Sequence, residues 1–119
     1  MLQLKSMAVA TDKTSVVLVQ CIKVLKSFKK RIALIGDLII ICVHSINSRK
    51  YANMKVRLQK RFRVGSMHRA LIVRSKTNFK RTTGVFIKFN KNHVVLVTRL
   101  VVPVSNRVYG PILREFCMK

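Results

Sequence analysis

Chemistry near neutral pH needs side chains that ionise or attack, and this chain has few of them arranged to cooperate. Its acids are Asp12, Asp37 and Glu115, its histidines His44, His68 and His93, and its cysteines Cys21, Cys42 and Cys117. The carboxylates lie far apart in sequence, and no motif pairs two of them for general acid–base work. No G-x-x-x-x-G-K-[ST], G-x-G-x-x-G or H-E-x-x-H occurs. The cysteines are odd in number and form no C-x-x-C, and metal-ligand spacing with the histidines is absent, so neither a metal nor another cofactor is implied. Cys21 and Cys42 sit inside apolar runs, where a reduced, buried thiol is the simple reading and a reducing compartment fits. These patterns argue against an enzyme.

What the chain has in excess is positive charge. Against 3 Asp+Glu stand 25 Lys+Arg, a formal net charge of +22 on 119 residues. Self-repulsion at that level opposes compaction unless a polyanion neutralises the surface, and each phosphate neutralised by Lys or Arg releases condensed counterions. Nucleic acid is therefore the expected partner. The cations cluster. Lys23 leads into Lys26, Lys29, Lys30 and Arg31; Arg49, Lys50, Lys55, Arg57, Lys60, Arg61 and Arg63 crowd the middle; Arg74, Lys76, Lys80 and Arg81 form a third group. A solvated face is the bland reading of any one cluster, but almost no acids are present to balance them. Phe28, Tyr51, Phe62 and Phe79 fall among these cations, where an aromatic ring either stacks on an unpaired base or pins its loop to the core. With no aromatic RNP signature and no G-x-x-G clamp, recognition of RNA shape and phosphates is expected over sequence readout.

The elements that must carry these cations read as β-strands. Half of the residues are hydrophobic, and they come in short β-branched runs. Strands are expected over 15–25, 38–45, 70–74, 85–89 and 93–98, with Gly36-Asp37 as a turn and a hairpin around Asn90-Lys91-Asn92. About five or six such strands suggest a small closed barrel, which removes exposed edges. Pro111 to Phe116 reads as one helical turn opened by proline. The expected organisation is one domain, with the barrel over about residues 1–104 and the terminal turn over about 105–119. The longest apolar run, Leu38 to Val43, is far below the ~20 residues that span a bilayer, so no membrane insertion is expected.

Several segments, in order, resemble a known family. They are Cys21-Ile22-Lys23-Val24-Leu25, Arg31-Ile32-Ala33-Leu34-Ile35-Gly36-Asp37, Arg69 to Lys76, Gly84 to Asn90, Asn92 to Val97, and Asn106 to Phe116 with its R-V-Y-G-P-x-x-R-E core. Together they resemble large-subunit ribosomal protein fourteen, through most of the chain. The resemblance implies a mainly β fold: a five-stranded β-barrel with a protruding β-ribbon and a short helical C-terminal part. It also implies binding to large-subunit rRNA at the subunit interface, ribosomal proteins three and nineteen as neighbours, and a bridge to small-subunit rRNA. A ribosome silencing or anti-association factor is the further implied partner. Arg107 matches a family position used in factor docking, and Asn106 and Arg114 are placed with it at the bridge side.

The chain departs from the family pattern in places. Lys26-Ser27 stands for a Gly-Gly, Thr83 and Asn90 stand where acids are usual, and the segment from about 46 to 64 is long and very basic. Loss of acids, gain of Lys, Asn, Ile and Phe, and a start without an import-type presequence point to an AT-rich organellar genome, mitochondrial first and plastid second. Two other classes compete. A free nucleic-acid-binding module satisfies the charge but not the ordered motifs. A membrane-surface protein wants a basic amphipathic helix, and these cations, those of the long central segment included, are expected in loops between strands.

Overall fold

The computed structural model describes residues 2–25, 29 and 31–118; Lys26, Phe28, Lys30 and the Cys117 side chain, singled out above, lie outside that description. The β-branched runs form a closed barrel in the order β1-β2-β3-β4-β7, from β1 (Met7–Ala10), β2 (Val16–Val24), β3 (Leu38–Ile46), β4 (Met67–Arg74) and β7 (His93–Val97). All neighbours run antiparallel except β1 and β7, which pair in parallel at Val9↔His93 and Ala10↔Val94. A separate two-stranded ribbon is made by β5 (Phe79–Lys80) and β6 (Phe86–Ile87). The mainly β, five-stranded barrel expected from the sequence is what forms.

Period-two alternation builds the interior. On β3, Ile39, Ile41 and Val43 point inward and are essentially inaccessible, opposite Val19 and Cys21 of β2, Ala70 and Ile72 of β4, and Val94 and Leu96 of β7. Register shifts on β2, at 16–18, 18–19 and 21–23, let its nine residues curl around the barrel and return Val24 to the core. Gly36, at φ +90°, makes the turn into β3, where its N–H donates to the Ile72 carbonyl at 2.8 Å.

Three expectations need correcting. The hairpin around Asn90-Lys91-Asn92 does not form: β6 pairs with β5 (Phe79↔Ile87, Lys80↔Phe86), while β7 pairs with β4 and β1. The stretch between them returns the chain to the barrel, and the Asn92 carbonyl accepts the Val9 N–H. β7 is buried along Val94 to Val97, and a two-residue ribbon strand cannot cover that much apolar surface. The terminal turn is a 3-10 helix over Arg114–Met118, later than Pro111, because the Pro111 carbonyl is held by Arg74. The long central segment is not a loop. It folds into α1 (Ser48–Ala52) and α2 (Val56–Arg61).

Candidate nucleic-acid interface

The electrostatics begin with the three acids, because none projects freely from the surface. Asp12, in the turn between β1 and β2, is 2% exposed; Thr14 Oγ1 donates to its Oδ1 and the Leu96 N–H to its Oδ2. Burial pushes its carboxyl above the ordinary aspartate range, against the pull of those hydrogen bonds. Asp37 is 3% exposed and accepts the Leu34 N–H at 2.9 Å, a side-chain-to-backbone bond reaching three residues back that braces the turn into β3. Glu115 lies 2.8 Å from Arg81 Nε. Burial holds His68 and His93 below the usual histidine range; the Arg61 carbonyl opposes it at His68, and the Arg74 charge adds to it at His93. What faces solvent is a nearly single-sign field of lysine and arginine.

The segments that follow the first cluster and carry the third border one cavity. Leu34 and Ile35, late in the β2–β3 loop, and Ser75, Thr77, Asn78, Phe79 and Lys80, entering the ribbon, line one shallow cavity of about 280 Å³. Lys29 and Arg31 are exposed on the first of these segments and Lys76 and Lys80 on the second, with Lys23 exposed on β2. Lys80 Nζ sits 5.9 Å from the Phe86 ring. Arg81 belongs to the same region but is engaged with Glu115. The 3-10 turn packs beside it, as Leu113 and Phe116 share a cavity with Ile35, Gly36 and Phe79.

The central cluster is presented by the helical pair. Asn47 caps α1, its Oδ1 accepting the N–H groups of Arg49 and Lys50. Gln59 and Tyr51 lock α2 to α1 reciprocally: the tyrosine hydroxyl donates to the Gln59 carbonyl at 2.9 Å, and Gln59 Nε2 donates to the Tyr51 carbonyl at 2.7 Å. Met54 and Leu58 pack on the barrel core, and Phe62 is 1% exposed with its ring 4.8 Å from that of His68. Phe62 therefore pins the segment to the core and is unavailable for base stacking. With the apolar side anchored, Arg49, Lys50, Lys55, Arg57, Lys60 and Arg61 are all exposed.

Arg74 is the residue whose place the sequence misrepresents. It is 6% exposed, and its Nη1 and Nη2 donate to the carbonyls of Pro111 (3.1 Å) and Tyr109 (2.9 Å). Its guanidinium thus fastens the C-terminal segment to the end of β4 and is not a surface phosphate contact. Gly110, at φ +86°, runs directly against it: a Cβ there would collide with Nη1 and sit 3.0 Å from Cζ. That clamp sets the path of the preceding residues, where Asn106 and Arg107 are exposed and the Arg107 guanidinium lies 5.4 Å from the Tyr109 ring. Arg114 is exposed at the first position of the 3-10 turn.

The clamp joins two of the motifs that carried the resemblance, R-A-L-I-V-R-S-K and R-V-Y-G-P-x-x-R-E, into one contact. The family model for ribosomal protein L14p/L23e matches residues 1–119. The chain belongs to that family. It is also 38% identical over 115 residues, 97% of this chain and 86% of the relative, to the large ribosomal subunit protein uL14 of Carsonella ruddii (strain PV). As an L14p/L23e protein it is a structural constituent of the large ribosomal subunit, acting in a ribosome among rRNA and ribosomal proteins.

Among the described residues, no group of three His, Cys, Asp or Glu side chains is placed to hold a metal, and no helix is long and apolar enough to cross a membrane. Sequence reading missed the helical pair as the carrier of the central cations, although Asn47 ahead of Ser48-Arg49-Lys50 is an N-cap signal.

Proposed function

We propose that this chain binds large-subunit rRNA through two cationic faces, one on the β2–β3 loop and ribbon, the other on α1 and α2. Asn106, Arg107 and Arg114 then contribute to a bridge with small-subunit rRNA at the subunit interface. The observation that supports this best is the withdrawal of every acid: Asp12 and Asp37 are buried and Glu115 is paired, so a phosphate backbone meets cations without competing carboxylates. Lysines hold phosphates as point charges and arginines can fork onto them. Ribosomal proteins three and nineteen as neighbours, and a silencing or anti-association factor docking near Arg107, follow from the family resemblance. A mitochondrial ribosome is the proposed location, with a plastid ribosome second, on the strength of the residue usage.

The test replaces Arg57, Lys60 and Arg61 together with alanine and measures binding to large-subunit rRNA across a salt series. Each lost phosphate contact lowers the slope of log K against log salt by about 0.7–0.9. The triple change is expected to lower it by about 2–3 and to reduce recovery of the protein with large subunits at moderate salt. An unchanged slope would remove the helical pair from the interface.

A further inference from the structure

Between the β1–β2 turn, α1 and the C-terminal segment lies a cleft of about 400 Å³, whose lining includes Thr11, Thr14, Lys50, Arg74, His93 and Tyr109. That volume lies within the range of small-molecule sites. Its floor carries an unusual charge. Arg74 is 94% buried, donates only to uncharged carbonyls, and its Nε–H has no partner among the described residues. The carboxylate that shares the cleft, Asp12, is engaged by Thr14 and by the Leu96 N–H. A desolvated cation bonded only to neutral groups favours an anion brought close to it.

The rim supplies what such an anion would need. Tyr109 is 42% exposed, and two cations flank its ring: Lys50 Nζ at 5.5 Å from the centroid and the Arg107 guanidinium at 5.4 Å. Lys50 reaches it from α1, while Arg107 comes from the C-terminal segment, so separate elements converge on one aromatic ring. A planar ring beside two exposed cations, over a buried third, matches the parts of a nucleotide. The ring offers a stacking platform and the cations offer phosphate contacts. A protein acidic side chain would use the cations but leave the ring without a partner.

We propose that this cleft is a subsite for one unpaired RNA nucleotide, its base stacked on Tyr109 and its phosphate held by Lys50 and Arg107 in the field of buried Arg74. The proposal rests on the rRNA-binding reading above, and it narrows one part of that interface from phosphate contact to capture of a single extruded nucleotide.

The experiment probes rRNA nucleotide by nucleotide with base-reactive reagents, in large subunits carrying the native chain, Lys50→Ala, Tyr109→Phe or Tyr109→Leu. Incorporation of each chain is measured separately by subunit fractionation. Loss of one stacking platform shifts a stacked base towards the reactive state by roughly 5- to 150-fold. The same unpaired nucleotide should therefore gain reactivity in the Tyr109→Leu and Lys50→Ala subunits and stay protected with Tyr109→Phe. Subunits that contain Lys50→Ala and Tyr109→Leu at native levels with an unchanged reactivity pattern would overturn the subsite while leaving rRNA binding intact. Failure of the native chain to bind large-subunit rRNA would instead overturn the rRNA reading and the subsite with it. Should Tyr109→Leu fail to incorporate, Lys50→Ala, at an exposed position on α1, decides the matter alone.

Discussion

Replacing Gly110 with alanine puts a methyl group where the Arg74 guanidinium already lies. The added Cβ collides with Nη1 and stands 3.0 Å from Cζ, so the guanidinium must withdraw from both carbonyls it holds. Hydrogen bonds from a charged donor contribute about 1.5–3 kcal/mol each. The low end applies here, since Tyr109 and Pro111 are exposed and water can replace the lost donor. That gives about 3 kcal/mol. A further ~1–2 kcal/mol comes from forcing a β-carbon into the left-handed region at φ +86°. A loss of about 4–5 kcal/mol is a large share of the ~5–15 kcal/mol that holds a typical domain together. Thermal and guanidinium denaturation of the isolated chain at moderate salt measure it directly. The decisive step is a double-mutant cycle with Arg74→Met. Without the guanidinium the alanine has nothing to displace, so Gly110→Ala should then cost only the ~1–2 kcal/mol of backbone strain. Equal costs in the two backgrounds would refute the clamp as the reason for glycine at this position.

Two further outcomes follow from the same geometry. Phe62→Ala should cost about 3–5 kcal/mol, the usual range for emptying a buried phenylalanine site. Hydrogen exchange should speed first across residues 48–61 while β3 and β4 stay protected, and uniform loosening would speak against Phe62 as the anchor of the helical pair. Asp12 has a raised carboxyl pKa because of burial, so its proton is held more tightly in the fold than in the unfolded chain, where the ordinary value is 3.8. Its contribution to stability is fully present below 3.8 and is lost as pH rises through the higher folded value. Relative to Asp12→Asn, the native chain should therefore gain stability as pH falls towards 3.8, as read from denaturant midpoints at a series of pH values. The opposite trend would mean that the Thr14 and Leu96 hydrogen bonds outweigh burial.

The strands that became β2, β3, β4 and β7 were legible because β-branched residues recur there with a two-residue period and their apolar faces have one place to go. The Gly36-Asp37 turn was legible for a local reason, a residue that tolerates positive φ beside one that bonds its own backbone. Features set by distant partners were not. The β1–β7 pairing is parallel and joins residues more than eighty apart in sequence, and nothing in Met7 to Ala10 names that partner. The Asn90–Asn92 hairpin failed in the same way, since turn-forming residues say that the chain can bend but not which strand it meets afterwards. Cations hid the helical pair: Met54, Leu58 and Phe62 have helical spacing, but the arginines and lysines between them gave the stretch the look of a loop. Arg74 was misplaced because composition counts a charge without saying whether it is solvated. The cationic residues of the site were legible as types, and their division into two faces and a buried clamp belongs to tertiary structure.

The way the barrel closes also sets an order of events. The free edge of β1 is completed only by the far end of the chain: the Val9 N–H donates to the Asn92 carbonyl, the Thr11 N–H to the Val94 carbonyl, and Asp12 accepts the Leu96 N–H. During synthesis β1, β2, β3 and β4 emerge first, and the two outer edges of that sheet wait for β7 to slot between them. An open edge is a template for pairing with another chain, and contacts this remote in sequence form slowly. The +22 charge has a second consequence in that interval. Before it meets any phosphate, it keeps one unfinished copy from docking edge to edge with the next, so the repulsion that burdens the finished protein protects the nascent one.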